Sequence, residues 1–145
     1  ISAALLSEKD GFKRACASSF MLSVDMTHGH HPAFGKYYDG DHAVKLNGGP
    51  AIKVNANQRY TSDSVSEAKF ILCCEQAQVP YQKYVHRTNL PCGSTIGPQL
   101  SALLGIHSVD IGSPMWSMHS LRESAGVKDH LWLAKSLSSF FQNNV

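Results

Sequence analysis

Asp25, His28, His30 and His31 stand close together in the segment SVDMTHGHHP, residues 23–32. A carboxylate and imidazoles are the donors that bind zinc through oxygen and nitrogen, and imidazoles also move protons near neutral pH. Asp25 closes the apolar run FMLSVDM, residues 20–26. A carboxylate in that place loses solvation and calls for a cation, a metal or several donors. The competing reading is a helix cap or a surface loop acid. The three histidines cannot all join Asp25 on one ion, because His30 and His31 are neighbours whose side chains diverge in an extended segment. The HExxH pattern is absent. A loop hydrogen bond accounts equally for any one of these histidines.

Three other places carry chemistry. His119, in SMHSLRE, follows Gly112, Pro114 and Trp116 in a loop. If the strand before it runs parallel to the one ending at Asp25, both residues share an end of the sheet. The segment CGSTIGP offers backbone N–H groups at a helix start, suited to an oxyanion or a substrate carbonyl, or else forms a glycine-rich turn. Lys53 lies on the polar side of a strand, where it either faces solvent or, partly desolvated, reads a substrate carboxylate.

The elements that must position these groups follow from periodicity. Residues 9–19 carry mixed helical periodicity, and residues 20–26 read as a buried strand. Residues 27–49, with Gly29, Gly35, Gly40, Gly48, Gly49 and Pro32, read as one long loop. In PAIKVN, residues 50–55, Ile52 and Val54 face one side, with Ala51, Lys53 and Asn55 on the other. Ser64 and Glu67 have capping-box spacing ahead of a helical stripe of Val65, Ala68, Ile71 and Leu72. A strand is expected in residues 81–87 and another in 107–112. A helix over 97–105 has Pro98 at its first position and Gly105 past its end. Val127, Leu131, Ala134, Ser138 and Phe141 share one face of a C-terminal helix. Strands alternating with helices predict an α/β layered sheet that keeps its ligands at strand carboxyl ends.

Length and composition agree. The 145 residues suffice for one core; 43% are hydrophobic and 17% charged, as in a globular chain. No run approaches a transmembrane span, and the start lacks a signal-peptide pattern. The net charge of +2 is small and the basic residues are scattered, so neither a nucleic-acid footprint nor a membrane surface is expected. Cys16, Cys73, Cys74 and Cys92 form no CxxC pair and read as reduced thiols, with Cys73 and Cys74 on different helix faces.

The segments SVDMTHGHHP, NGGPAIKVNANQRY, CGSTIGP and MHSLRE, in this order, resemble the aspartyl aminopeptidase family of zinc metallopeptidases from about Ser19 to Phe141. The resemblance implies an α/β/α sandwich around a mixed, largely parallel sheet, interrupted in the family by a dimerisation domain. It implies a cytoplasmic di-zinc peptidase that removes N-terminal Asp or Glu and assembles as a dodecamer; manganese or cobalt could replace zinc. By the family motifs, Asp25 ligates one metal and His119 the other. His28, Lys53 and Tyr60 line the acidic substrate's pocket, and His31 has a structural or assembly role. The family's first metal-binding His, its bridging Asp and the Glu-Glu pair that carries the general base have no counterpart here, and no EE pair occurs. Residues 1–145 are therefore expected to be the C-terminal portion of the catalytic domain, lacking the dimerisation domain and the N-terminal portion. A first residue Ile1 rather than Met agrees with a fragment that is inactive alone and holds zinc weakly. The alternatives are a co-catalytic zinc aminopeptidase of other specificity and a non-catalytic assembly module.

Overall fold

The computed structural model describes residues 9–142; the apolar opening of the chain lies outside them. The elements are α1 (Gly11–Ala17), β1 (Phe20–Val24), β2 (Thr27–His28), a 3-10 segment (Pro32–Tyr37), β3 (Ala51–Val54), α2 (Ser64–Gln76), β4 (Gln82–Val85), α3 (Gly97–Leu104), β5 (His107–Gly112), β6 (Pro114–Trp116), β7 (Ser124–Ala125) and α4 (Val127–Gln142). The main sheet has the order β1-β5-β3-β4, and β2-β6-β7 form a second. β1 runs parallel to β5 and β3 parallel to β4, while β3 meets β5 antiparallel.

Strand alternation gives the main sheet two unlike faces. Ile52, Val109 and Ile111 form the apolar core with Phe70, Cys73 and Cys74 of α2, packed by Leu133, Leu137 and Phe140 of α4. The opposite face carries Ser23, Lys53, Ser108 and Asp110. All four are buried. Lys53, at 2% exposure, therefore does not lie on a solvated side: its face is polar but covered, in part by the segments leading into α2 and α3.

β1 and β2 are one ribbon interrupted at Asp25–Met26, and β5 and β6 are its parallel neighbour interrupted at Ser113. Gly112 marks the crossing. A Cβ there would lie 1.7 Å from the Asp25 carbonyl oxygen, so only glycine lets the two backbones pass. At the interruption Thr27 Oγ1 and Ser113 Oγ are buried without a hydrogen-bond partner among the described residues.

Several helical expectations are corrected. Asp63, not Ser64, caps α2: its Oδ1 accepts from Ser66 N at 2.7 Å, and Ser66 Oγ accepts from Asp63 N at 2.9 Å. Glu67 instead meets Lys83 at 2.8 Å. The inward face of α2 is Ser66, Phe70, Cys73 and Cys74, whereas Val65 is 65% and Leu72 48% exposed. Because α2 is wedged between β5 and α4, Cys73 and Cys74 are both fully buried despite their angular separation on the helix. On α4, Val127, Leu131, Ala134, Ser138 and Phe141 do share a face, but it points outward, with Phe141 81% exposed. The inward face of α4 is built of Asp129, Ser136 and Ser139, with Leu133, Leu137 and Phe140. The segment 27–49 is not one loop, since β2 and the 3-10 segment interrupt it. The expectations for the strands, for Pro98 in the first turn of α3 and for Gly105 as its left-handed cap (φ 62°) hold.

Two buried carboxylates pin loops to this frame. Asp129 Oδ2 accepts from Asn47 N at 2.6 Å and its Oδ1 from Gly49 N at 2.8 Å, fixing the entry to β3. Asp110 Oδ1 accepts from Ser23 Oγ at 2.5 Å and Thr95 Oγ1 at 2.7 Å, and its Oδ2 from Thr61 N at 2.7 Å. Three donors replace the water that this carboxylate loses.

Candidate metal and substrate site

The interruption of the β1–β2 ribbon turns Asp25 out of the ladder at the carboxyl end of β1. Its backbone N–H still donates to Ile111 O at 3.0 Å, which fixes the residue against β5. The carboxylate is exposed, contrary to the expected loss of solvation, because it stands beyond the sheet edge. Oδ1 accepts from Met26 N at 2.7 Å, and nothing among the described residues donates to Oδ2.

The same interruption frees the Met26 carbonyl, and Lys53 Nζ donates to it at 2.8 Å. Burial pulls the Lys53 pKa below its ordinary value, while Asp25, Asp110 and Cys92 oppose that shift by favouring the charge. Lys53 Nζ also lies 5.5 Å from the centre of the Tyr60 ring. Burial raises the Tyr60 pKa, and the Cys92 thiol, 3.6 Å from the phenol oxygen, adds to that shift. Tyr60 thus presents a neutral ring to the ammonium.

His119 comes from the loop after β6. Its φ of 67° and the φ of 56° at Ser117 are left-handed, a conformation that costs a non-glycine residue about 1–2 kcal/mol. His119 N donates to Glu123 Oε1 at 2.5 Å, while the ring has no hydrogen bond among the described residues. A strained backbone presenting an unpartnered imidazole is a common signature of a functional position. His28 keeps an exposed edge, and burial lowers its pKa, with a further lowering from the neighbouring His86, Lys53 and His119.

Asp25, His28, Lys53, Tyr60 and His119 all line one cavity of about 210 Å³. Gly93, Ser94 and Thr95 of CGSTIGP line it too. The hydroxyls of that segment are already engaged: Thr95 serves Asp110, and Ser94 Oγ donates to Arg59 O at 3.0 Å. His30 and His31 are not in this lining. His31 Nδ1 accepts from Ala33 N at 3.2 Å, capping the 3-10 segment, and its ring stacks near Trp116 and Phe34. His30 packs on Tyr38.

His86, which was not among the residues singled out above, also lines the cavity. Its Nε2 lies 3.0 Å from Pro91 O, so that nitrogen carries the proton, and Nδ1 accepts from Tyr84 OH at 2.7 Å. The available signal was alternation: Tyr84 and His86 fall on the face that Lys53 occupies across the β3–β4 pairing. Asp110, on the expected strand 107–112, was not singled out, because its partners Ser23, Thr61 and Thr95 come from distant segments.

The donor set suits zinc in part. Asp25 and His119 supply carboxylate oxygen and imidazole nitrogen on one cavity, each with an unused donor atom. No group of three His, Cys, Asp or Glu residues able to hold a metal occurs among the described residues, so these residues do not by themselves complete a metal shell.

The sequence profile of the aminopeptidase I zinc metalloprotease (M18) family matches residues 1–141. A probable M18 family aminopeptidase 2 from Stutzerimonas stutzeri is 45% identical over 139 residues, covering 96% of this chain and 32% of that protein. The chain thus spans about a third of the length of the curated relatives it matches. Among solved structures, one chain of the Ape4 and Nbr1 complex superposes with a TM-score of 0.92 at 45% identity, covering 94% of this chain and 26% of that one. The mApe1 dodecamer of S. cerevisiae gives 0.81 at 27% identity, covering 91% and 28%.

Proposed function

The chain belongs to the M18 family of zinc metalloproteases, and from that premise we propose that it is the C-terminal portion of the catalytic domain of an aminopeptidase that removes acidic N-terminal residues. The observation that carries the specificity is a single buried cation, Lys53, on a cavity that also holds Asp25 and His119.

In this reading Asp25 would hold one zinc and His119 the other, together with ligands, and a general-base Glu, contributed from outside the described residues. Zinc there supplies Lewis-acid polarisation of the scissile carbonyl and a bound water of lowered pKa. The chain's own residues do the selecting. Lys53 has three N–H donors, and one is spent on Met26 O, leaving two for the side-chain carboxylate of an N-terminal Asp or Glu. A neutral side chain in that place leaves the ammonium unpaired, a strong basis for discrimination. Tyr60 confines the aliphatic stem, and neutral His28 offers a hydrogen bond at the cavity mouth. Assembly as a dodecamer is part of the proposal, supported by the assembly of mApe1. So is cytoplasmic residence, to which four free thiols are suited.

Two experiments test the reading. In the full-length protein, removal of zinc by a chelator and its restoration are expected to abolish and restore turnover of Asp-peptides; unchanged turnover defeats it. Calorimetric titration of residues 1–145 with zinc is expected to show binding far weaker than in the full-length protein, lost in Asp25→Asn and His119→Ala. Equally tight binding by both lengths refutes the need for ligands from outside residues 1–145.

A further inference from the structure

A second cavity of about 270 Å³ adjoins the first. The two share His28, His86 and Pro91 as a common wall. Beyond that wall the lining is aromatic and aliphatic: Tyr37, Tyr38, Tyr84 and Leu90.

Its polar groups are spoken for. Asp39 Oδ1 lies 2.7 Å from His42 Nδ1, the Arg87 guanidinium donates to the Lys36 carbonyl, and Tyr84 OH meets His86 at 2.7 Å. Burial raises the Tyr84 pKa, which keeps the phenol a donor to His86. The polar side chains at its rim each hold a hydrogen bond, Arg87 to a neutral carbonyl, and the rest of the wall is aromatic and aliphatic, which suits a flat or bulky apolar side chain.

Substrate geometry connects the two cavities. If the acidic N-terminal side chain reaches Lys53, that residue is fixed in the first cavity. The next Cα of a peptide is only about 3.8 Å away, so its side chain comes within reach of a space that shares a wall with the first. We propose that the second cavity is the subsite for the second residue of the substrate, and that it selects an aromatic or large apolar side chain there. This rests on the aminopeptidase reading above.

The test uses the full-length protein with Asp-Phe-Ala and Asp-Gly-Ala, reading the ratio of kcat/KM. Burial of the phenyl group is expected to favour the Phe peptide by about tenfold or more. Tyr37→Ala, at a half-exposed position whose truncation leaves the core intact, and Leu90→Ala should each bring the ratio toward one. A wild-type ratio near one, as when a neighbouring subunit fills the cavity, overturns the subsite alone. A high ratio unchanged by both substitutions also overturns it. No turnover of either peptide overturns the aminopeptidase reading and the subsite with it.

Discussion

Lys53 Nζ lies 2.8 Å from the carbonyl oxygen of Met26, the residue that follows the candidate ligand Asp25. One contact therefore ties the cation that would read the substrate to the backbone that would present a metal ligand. It exists because the β1–β2 ribbon is interrupted just there, leaving a carbonyl without a ladder partner. In the proposed reading, recognition and chemistry meet at this one break in the ribbon.

Replacing Lys53 by Met separates its two effects. Loss of a charge-assisted hydrogen bond, about 1.5–3 kcal/mol, should lower kcat/KM for Asp-peptides in the full-length protein by roughly 10- to 150-fold, with Leu-peptides little changed. Stability should move the other way. The folded pKa of Lys53 is below its ordinary value, so the unfolded chain binds more protons in the window from that lowered pKa up to 10.5, and stability rises with pH there. Below the window the buried charge is a standing penalty, which Lys53→Met removes. Equal urea midpoints at pH 7 for the two proteins would contradict this.

Asp110→Ala should destabilise strongly. It strands Ser23 Oγ, Thr95 Oγ1 and Thr61 N, three donors that now converge on one buried carboxylate. Each unsatisfied donor costs about 1–3 kcal/mol, and residual access to water places the total at the lower end of the sum. Denaturant unfolding is the measurement, and a change under about 1 kcal/mol would contradict the assignment.

Gly112→Ala should be among the least tolerated small changes in the chain. The added methyl meets a backbone oxygen at Asp25 rather than a movable side chain, so β1 and β5 must separate. The expected loss is at least the 1–3 kcal/mol typical of overpacking, with a fall in zinc affinity in the full-length protein because Asp25 moves. Wild-type melting and zinc binding in this variant would show that the crossing has slack.

Asp63 predicts an acid-side effect. The Ser66 N–H holds its carboxyl below the ordinary value of 3.8, so its contribution is complete above that value and is lost as pH falls through the lowered folded pKa. Asp63→Ala should cost about 1 kcal/mol at pH 7, as N-cap losses do, and the cost should shrink at pH 2–3. A cost independent of pH would indicate that packing, not the cap, is responsible.

The strands were legible because their alternation is local. Val109 and Ile111 against Ser108 and Asp110 are visible without knowing any partner. What covers each face was not. For Lys53 the strand alone left solvated and partly desolvated readings open, because the groups around it, such as Tyr60 and Met26, come from other segments. The same ignorance of partners left open which way the α4 stripe points. Leu131 and Phe141 lie outward, while Leu133, Leu137 and Phe140 pack on the core together with the buried Ser136 and Ser139. Among site residues, Asp25 and His119 were reached through motifs. His86 was missed because its place depends on a hydrogen bond to a carbonyl in a later loop.

The clamp of Asp129 on Gly49, made across 80 positions of sequence, has a consequence in time. The loop it holds delivers β3, and β3 carries Lys53. A chain emerging from the ribosome amino end first has therefore made Lys53 long before it makes the carboxylate that settles its strand. This clamp can close only once α4 is made, so synthesis interrupted before Asp129 leaves a chain with Asp25, Lys53 and His119 and no clamp at the entry to the strand that carries Lys53.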